Sequence, residues 1–307
     1  MTHLRRLLCV LLLVTAAMTA CTDSASADPE PGHHGRRGSQ QIEPGRGVFT
    51  FDGYPPLADH PVRVWYDAPA DPSTAQILIV MHGVGRNGAD YRDDWHDLVD
   101  GRNVLVLAPE FSDKEYPDAE AYSLGNIIDR HGDRLPNEQW SFHVVEALFD
   151  HVVRTLGSTA TDYAMFGHSA GAQFVARFVT FMPKNRARIA VAANAGWYTT
   201  LDDSVKFPYG LDGSSTREDE LHAAFASNLV ILLGSNDTDG EDDSLRRDDG
   251  SDQQGRNRLE RGMNFYQQSQ DVAARESLPF AWRLTVVPGI AHSHADMAAA
   301  AAPMLLR

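Results

Sequence analysis

The chain is 307 residues long, carries a formal net charge of −15 and is 43% hydrophobic. That balance argues against a nucleic-acid partner and describes a soluble, self-repelling surface on a chain long enough to bury a sizeable core. There are two cysteines, and Cys9 lies in an N-terminal leader, so the remainder can form no internal disulfide and must be held by its core.

Residues 1–20 read as an export signal. Arg5 and Arg6 precede an apolar stretch, residues 7–20, that is too short to span a bilayer comfortably. It ends Met18-Thr19-Ala20-Cys21, which resembles a bacterial lipobox and would make Cys21 the lipidated N-terminus. Methionine stands where such boxes usually carry leucine, so cleavage near Ala25-Ser26-Ala27 is the alternative. The expectation is an exported, envelope-anchored protein whose contact with a membrane is through that lipid. Residues 21–45 are rich in Pro, Gly, Ser, Asp and Arg and read as a flexible tether, with a reach of roughly 25–30 Å. His33 and His34 within it read as solvated rather than metal-binding. The folded domain is expected over residues 46–307.

Residues 48–51 and 62–66 alternate like antiparallel strands. Residues 77–81 are apolar throughout, as a strand covered on both faces must be. A helix is expected at 91–99 and a second buried strand at 104–108. Residues 140–156 form an amphipathic helix with Phe142, Val145, Leu148, Phe149, Val152 and Leu156 on one face. A strand at 163–166 leads into a helix over 172–179. Strands at 189–193 and 229–233, a helix at 264–275, a strand at 282–287 and a helix at 295–306 complete the chain. Helices alternating with buried strands specify an α/β fold: one domain, with a mostly parallel central sheet covered by helices on both faces.

Between the strand at 163–166 and its helix stands Gly167-His168-Ser169-Ala170-Gly171. This reads as a nucleophile elbow, a sharp strand-to-helix turn that presents a serine hydroxyl. Side chains two positions either side of the serine would collide with neighbouring backbone, and glycine relieves that collision. His168 is expected to support the turn.

A serine hydroxyl needs a base to take its proton and a third group to orient that base. In a doubly wound sheet, these should come from loops just past later strands. The strand at 229–233 runs into Gly234-Ser235-Asn236-Asp237, and the strand at 282–287 into Pro288-Gly289-Ile290-Ala291-His292. The order Ser169, Asp237, His292, placed at strand ends, resembles the α/β-hydrolase superfamily from about residue 48 onward. Secreted polyester depolymerases and feruloyl-type esterases share that layout. The resemblance implies an α/β-hydrolase fold with Ser169 as nucleophile, His292 as general base and then acid, and Asp237 as the carboxylate that fixes its tautomer. Asp239, Asp242 and Asp243 compete for the acid role, and His294 for that of the base.

The loop His82-Gly83-Val84-Gly85 resembles the family's His-Gly-x oxyanion loop. By that resemblance the amides of Val84 and Ala170 would hold the developing oxyanion. Neither phosphate-binding glycine spacing is present there. His82, Trp197 and Tyr198 are candidate substrate contacts, and core packing is the equal alternative for the Trp-Tyr pair. Pro109-Glu110-Phe111 and residues 122–126 are further candidates for the pocket lining.

Residues 246–258 are too polar for a core element and are expected to form a solvated loop held by internal Asp–Arg pairs. Their acids lack EF-hand spacing, so no metal is invoked. No long apolar insertion reads as a lipase-type lid. The resulting expectation is a cofactor-independent serine hydrolase acting on an ester substrate, such as a polymer or an aromatic ester. Peptidase or amidase action on the same triad, or a catalytically idle binding lipoprotein, are the alternatives.

Overall fold

Five consecutive side chains of the strand Gln76–Met81, from Ile77 on, are at most 1% exposed, and successive residues enter opposite layers. Ile77, Ile79 and Met81 join the core on one side of the sheet; Leu78 and Val80 join the other. This is why the run has no polar position. The computed structural model describes residues 42–306 except 215 and 217; the expected signal segment, Cys21 and most of the tether lie outside the described residues.

In chain order, strands β1 (Gly45–Phe51), β2 (Val62–Ala68) and β3 (Gln76–Met81) come first, then the short helices α1 (Gly88–Asp93) and α2 (His96–Val99). Strand β4 (Val104–Glu110), α3 (Asp118–Ala121), α4 (Phe142–Leu156), β5 (Tyr163–His168) and α5 (Ala170–Phe181) follow. The remainder is β6 (Ala187–Ala193), α6 (Glu218–Ala226), β7 (Leu229–Gly234), α7 (Asp249–Asp252), α8 (Arg258–Arg275), β8 (Arg283–Val287) and α9 (His294–Leu305).

The eight strands form one sheet in the order β1-β2-β4-β3-β5-β6-β7-β8. β2 is antiparallel to both β1 and β4, and the strands from β4 to β8 pair in parallel. Leu148 of α4, Phe174 of α5 and Phe265 of α8 pack on one face. Trp95 and, from α9, Met297 and Ala298 pack on the other. The parallel strands carry their C-terminal ends to one edge, where β3, β5, β7 and β8 deliver the loops of the site.

Besides the four-residue helices α3 and α7, which the periodicity reading does not contain, three elements depart from it. The helix expected at 91–99 is broken between α1 and α2. There Trp95 is fully buried with its ring edge-on to Phe166 at 5.2 Å, and Asp94 is engaged by His294. Tertiary anchoring of these two neighbours overrides a continuous helix. α8 begins at Arg258, six residues earlier than its apolar pattern indicates, because Arg258 and Arg261 are buried through ion pairs rather than apolar contacts. Its start is marked by Asn257, whose side chain accepts from the amide of Glu260. α6, which buries Ala224 and Phe225, has no counterpart in the pattern reading.

Candidate active site

Ser169 sits between β5 and α5 at φ 56°, ψ −118°, a conformation that non-glycine residues rarely adopt. The flanking glycines permit it. An added Cβ on Gly167 would lie 2.3 Å from the carbonyl oxygen of Gly171, and one on Gly171 would lie 2.1 Å from that of Met81. Both collisions are with backbone, which cannot turn aside.

The Ser169 hydroxyl stands 3.1 Å from Nε2 of His292, and Nδ1 of His292 stands 2.7 Å from Oδ2 of Asp237. A carboxylate can only accept, so Nδ1 carries the proton and Nε2 is free to accept from the serine. Asp237 is 2% exposed, and it is the carboxylate that holds His292. Two of the competing acids are engaged elsewhere. Asp242 holds Arg258 and Ser244, Asp239 caps the amide of Glu241, and Asp243 lines the cleft.

The histidine and acid loops are laced together. Asn236 donates from its backbone to Ile290 at 2.9 Å and from its side chain to Gly289 at 3.1 Å. Asn194, at the end of β6, accepts from the amide of Gly234 at 2.8 Å and donates to the carbonyl of Ala291 at 3.1 Å. One buried amide side chain thus joins the end of β7 to the residue before His292. Sequence reasoning missed this role; the asparagine directly after a buried strand was the available signal.

His294 forms its own hydrogen-bonded pair with Asp94 and stacks on Tyr91 at 4.7 Å. The hydrogen bond that its Nδ1–H donates to the Asp94 carboxylate holds its imidazole above the ordinary histidine range. His168 lies behind His292, with ring centroids 4.5 Å apart and Nδ1 3.1 Å from the Tyr91 hydroxyl. Burial, with the neighbouring His292, His294 and Arg258 adding to it, pushes His168 well below the ordinary range, so the ring backing His292 is neutral.

A cavity of about 410 Å³ opens over Ser169, and Val84 and Ala170 line it. Trp197 also lines it, with two guanidinium groups against its ring, Arg177 at 4.1 Å and Arg246 at 4.8 Å. Arg177 is buried on α5, donating to Thr199 and to the carbonyl of Ser123, and burial pushes it down to about 9. Tyr122 and Ser123 line the cleft, as the residues at 122–126 were expected to do.

Two expected substrate contacts are corrected. His82 is fully buried: its Nδ1 donates to the Gly83 carbonyl at 2.9 Å and its Nε2 accepts from the amide of Phe111 at 3.0 Å. Burial pushes it down to about 3, so it braces the loop as a neutral ring. Tyr198 is stacked on Phe265 at 4.2 Å in the core. Trp197 borders the cleft although it is 2% exposed, whereas Tyr198 does not line it.

The polar stretch 246–258 is also more built than a solvated loop. The expected Asp–Arg pairs are present, Arg246 with Asp248 at 2.6 Å and Arg247 with Asp252 at 3.0 Å. Yet Asp248 caps the short helix α7, and Ser251, Gln254 and Arg258 are buried. Gln254 clasps the backbone of Tyr198 through both its amide atoms. Among the described residues no group of three or more histidine, cysteine, aspartate or glutamate side chains is placed to hold a metal ion.

The chain is similar to poly(aspartic acid) hydrolase-1 from Sphingomonas sp. KT-1, with a TM-score of 0.83 and 42% identity, covering 86% of this chain and 99% of that one. It is also similar to the poly(3-hydroxybutyrate) depolymerase LpqC from Bordetella parapertussis, at 0.81 and 33%, covering 85% and 89%. An S-formylglutathione hydrolase from Agrobacterium tumefaciens, at 0.55 and 12%, covering 85% and 92%, shares the fold. No protein-family model matches the chain, and no curated protein sequence does either.

Proposed function

The chain belongs to the α/β-hydrolase superfamily, and on that premise we propose that it is an exported serine esterase using Ser169, His292 and Asp237. The observation that carries this reading is the unbroken series Ser169 Oγ, His292 Nε2, His292 Nδ1 and Asp237 Oδ2, with steps of 3.1 and 2.7 Å across the ring.

In the first half-reaction His292 takes the Ser169 proton as Oγ attacks the ester carbonyl. The carbonyl oxygen becomes an oxyanion held by the amides of Val84 and Ala170, a stabilisation worth about 3–4 kcal/mol per donor. Asp237 stabilises the imidazolium, which then gives its proton to the leaving alkoxide and leaves an acyl-serine. Water repeats the sequence on the acyl-enzyme, releases the acid and restores Ser169.

Two relatives above 30% identity are named for polymers, poly(aspartic acid) and poly(3-hydroxybutyrate). An ester of an extracellular polymer is the substrate class this supports, with Trp197 as a wall of the acyl side. Export with lipid attachment at Cys21 fits a polymer too large to enter the cell. It rests on the Arg5-Arg6 head, the apolar segment and the cysteine that ends it.

The test is turnover of short- and medium-chain p-nitrophenyl esters by purified wild type and Ser169→Ala, with fluorophosphonate labelling alongside. Serine-dependent turnover and labelling establish the esterase. Labelling with turnover of p-nitroanilides alone would point to a peptidase or amidase. Neither turnover nor labelling would leave a binding lipoprotein.

A further inference from the structure

Arg258 opens α8 with a side chain that is 0% exposed. Removing a guanidinium from water costs several kcal/mol unless partners compensate it, so its surroundings are informative. Nη2 donates to Asp242 Oδ1 at 3.2 Å and to Ser244 Oγ at 2.8 Å. Nη1 lies 3.6 Å from Oδ1 of Asp237, the carboxylate oxygen that His292 does not use. That separation is outside a normal hydrogen bond, and neither Nη1 nor Nε has a hydrogen-bond partner. The neighbouring amide of Leu259 donates to the main-chain carbonyl of Asp237 at 3.2 Å. The start of α8 therefore grips Asp237 twice, through its backbone and through the charge beside its carboxylate. The same guanidinium holds Ser244, which lines the cleft together with Asp243 and Leu245.

Resting on the catalytic reading above, we infer that Arg258 is a positioning residue that orients the Asp237 carboxylate toward His292 and ties that orientation to the cleft wall at Ser244. It acts through Asp237 and touches no substrate. A neutral side chain of similar size would fill the same space but supply neither the attraction on Oδ1 nor the bridge to Asp242 and Ser244.

The inference has a signature in the pH–rate profile. The titratable and charged groups around His292 are Asp237; His168 with Tyr91 on its Nδ1; His294 with Asp94; and Arg258, with Tyr198 also within reach of the Asp237 charge. Arg258 is the permanent cation of this set. A positive charge opposes a second one nearby, and that sign is what the variants test. Removing it moves the acidic limb of kcat/KM to higher pH. Neutralising Asp242 leaves Arg258 unbalanced and moves the limb the other way.

The experiment compares wild type, Arg258→Met, Arg258→Lys and Asp242→Asn in kcat, KM and pH profile, with urea unfolding of each. Arg258→Met should lower kcat at least about tenfold while changing KM less than about threefold. Its acidic limb should rise by about 0.5 pH unit, that of Asp242→Asn should fall by a similar amount, and Arg258→Lys should stay near wild type. An arginine that only filled space would cost stability and leave the limb in place. Superimposable profiles for wild type, Arg258→Met and Asp242→Asn would overturn the inference, as would equal displacement in the Lys and Met variants. If Arg258→Met does not fold, the Asp242→Asn profile decides: a limb that coincides with wild type would overturn the inference. The low-field proton resonance of His292 Nδ1–H gives a readout without turnover: it should move in the Met variant and hold in the Lys variant. A wild-type protein that neither hydrolyses esters nor labels would sink the catalytic reading, and the resonance would still decide the role of Arg258.

Discussion

Gly171 and Met81 approach so closely that a single added Cβ on the glycine would lie 2.1 Å from the Met81 carbonyl oxygen and 2.6 Å from its carbon. Two neighbouring strand ends, β5 through its elbow and β3, are thereby locked at a spacing only glycine allows. That spacing places Ser169 beside the loop carrying Val84. Gly171→Ala should therefore destabilise the fold by at least about 3 kcal/mol and abolish activity. Gly83→Ala meets the tip of the Tyr91 side chain at 2.7 Å and should cost less, because a side chain, even one held by His168 and His294, yields more readily than backbone. Urea unfolding of both variants checks the ordering; equal costs would refute it.

Ser169→Ala should lower kcat by about 10⁵–10⁶-fold and change stability little, since the hydroxyl is a surface of the cleft and the methyl occupies the same backbone. Kinetics and thermal unfolding on the same preparation test this. A variant retaining a tenth of the activity would remove Ser169 as nucleophile.

His82 gives a stability prediction with a definite sign. Its folded value lies at about 3, below the unfolded histidine value of 6.5, so the folded protein excludes a proton that the unfolded chain accepts. The stability from the neutral ring is fully present above pH 6.5 and is lost as pH falls from there toward 3, at about 1.4 kcal/mol per unit. His82→Gln, which can serve both backbone partners without titrating, should reduce the slope of unfolding free energy between pH 6.5 and 4 by up to that amount. An unchanged slope would show that the ring is not held neutral.

His294 has the opposite sign. Its folded value is raised, chiefly by the hydrogen bond it donates to Asp94, so the contribution of that pair is present below pH 6.5 and is lost as pH rises through the folded value. Asp94→Asn should be more destabilising at pH 6 than at pH 8, as measured by unfolding at the two values. A penalty that grew with pH would contradict the pairing.

Trp197 lines the cleft with Arg177 and Arg246 against its ring. Trp197→Ala should cost about 3–5 kcal/mol of stability from the lost ring and shift the ester preference toward bulkier acyl groups. A chain-length series of p-nitrophenyl esters reads the shift; an unchanged profile would assign Trp197 to packing alone.

Much of this site was legible along the chain because its parts rest on local rules. Apolar runs mark buried strands, Gly-x-Ser-x-Gly between strand and helix marks the elbow, and strand ends mark where a base and an acid can stand. Those rules supplied the sheet, the elbow at Ser169, and Asp237 and His292 as candidates. They also anticipated the Asp–Arg pairs of the acidic loop. They were silent wherever polar groups are buried by partners far away in sequence. Arg258 and Arg261 hid the first turns of α8, Gln254 reaches 56 residues back to Tyr198, and His294 meets a carboxylate 200 positions earlier.

By itself, then, the sequence determined the order of the strands and of the longer helices other than α6, and the chemical types available at the strand ends, since both follow from backbone preferences and side-chain periodicity. Tertiary structure decided which carboxylate met His292, why His294 was occupied, and that Trp197 bordered the cleft while His82 and Tyr198 packed away from it. These outcomes depend on hydrogen bonds and ion pairs whose partners become neighbours once the sheet has brought its loops to one edge.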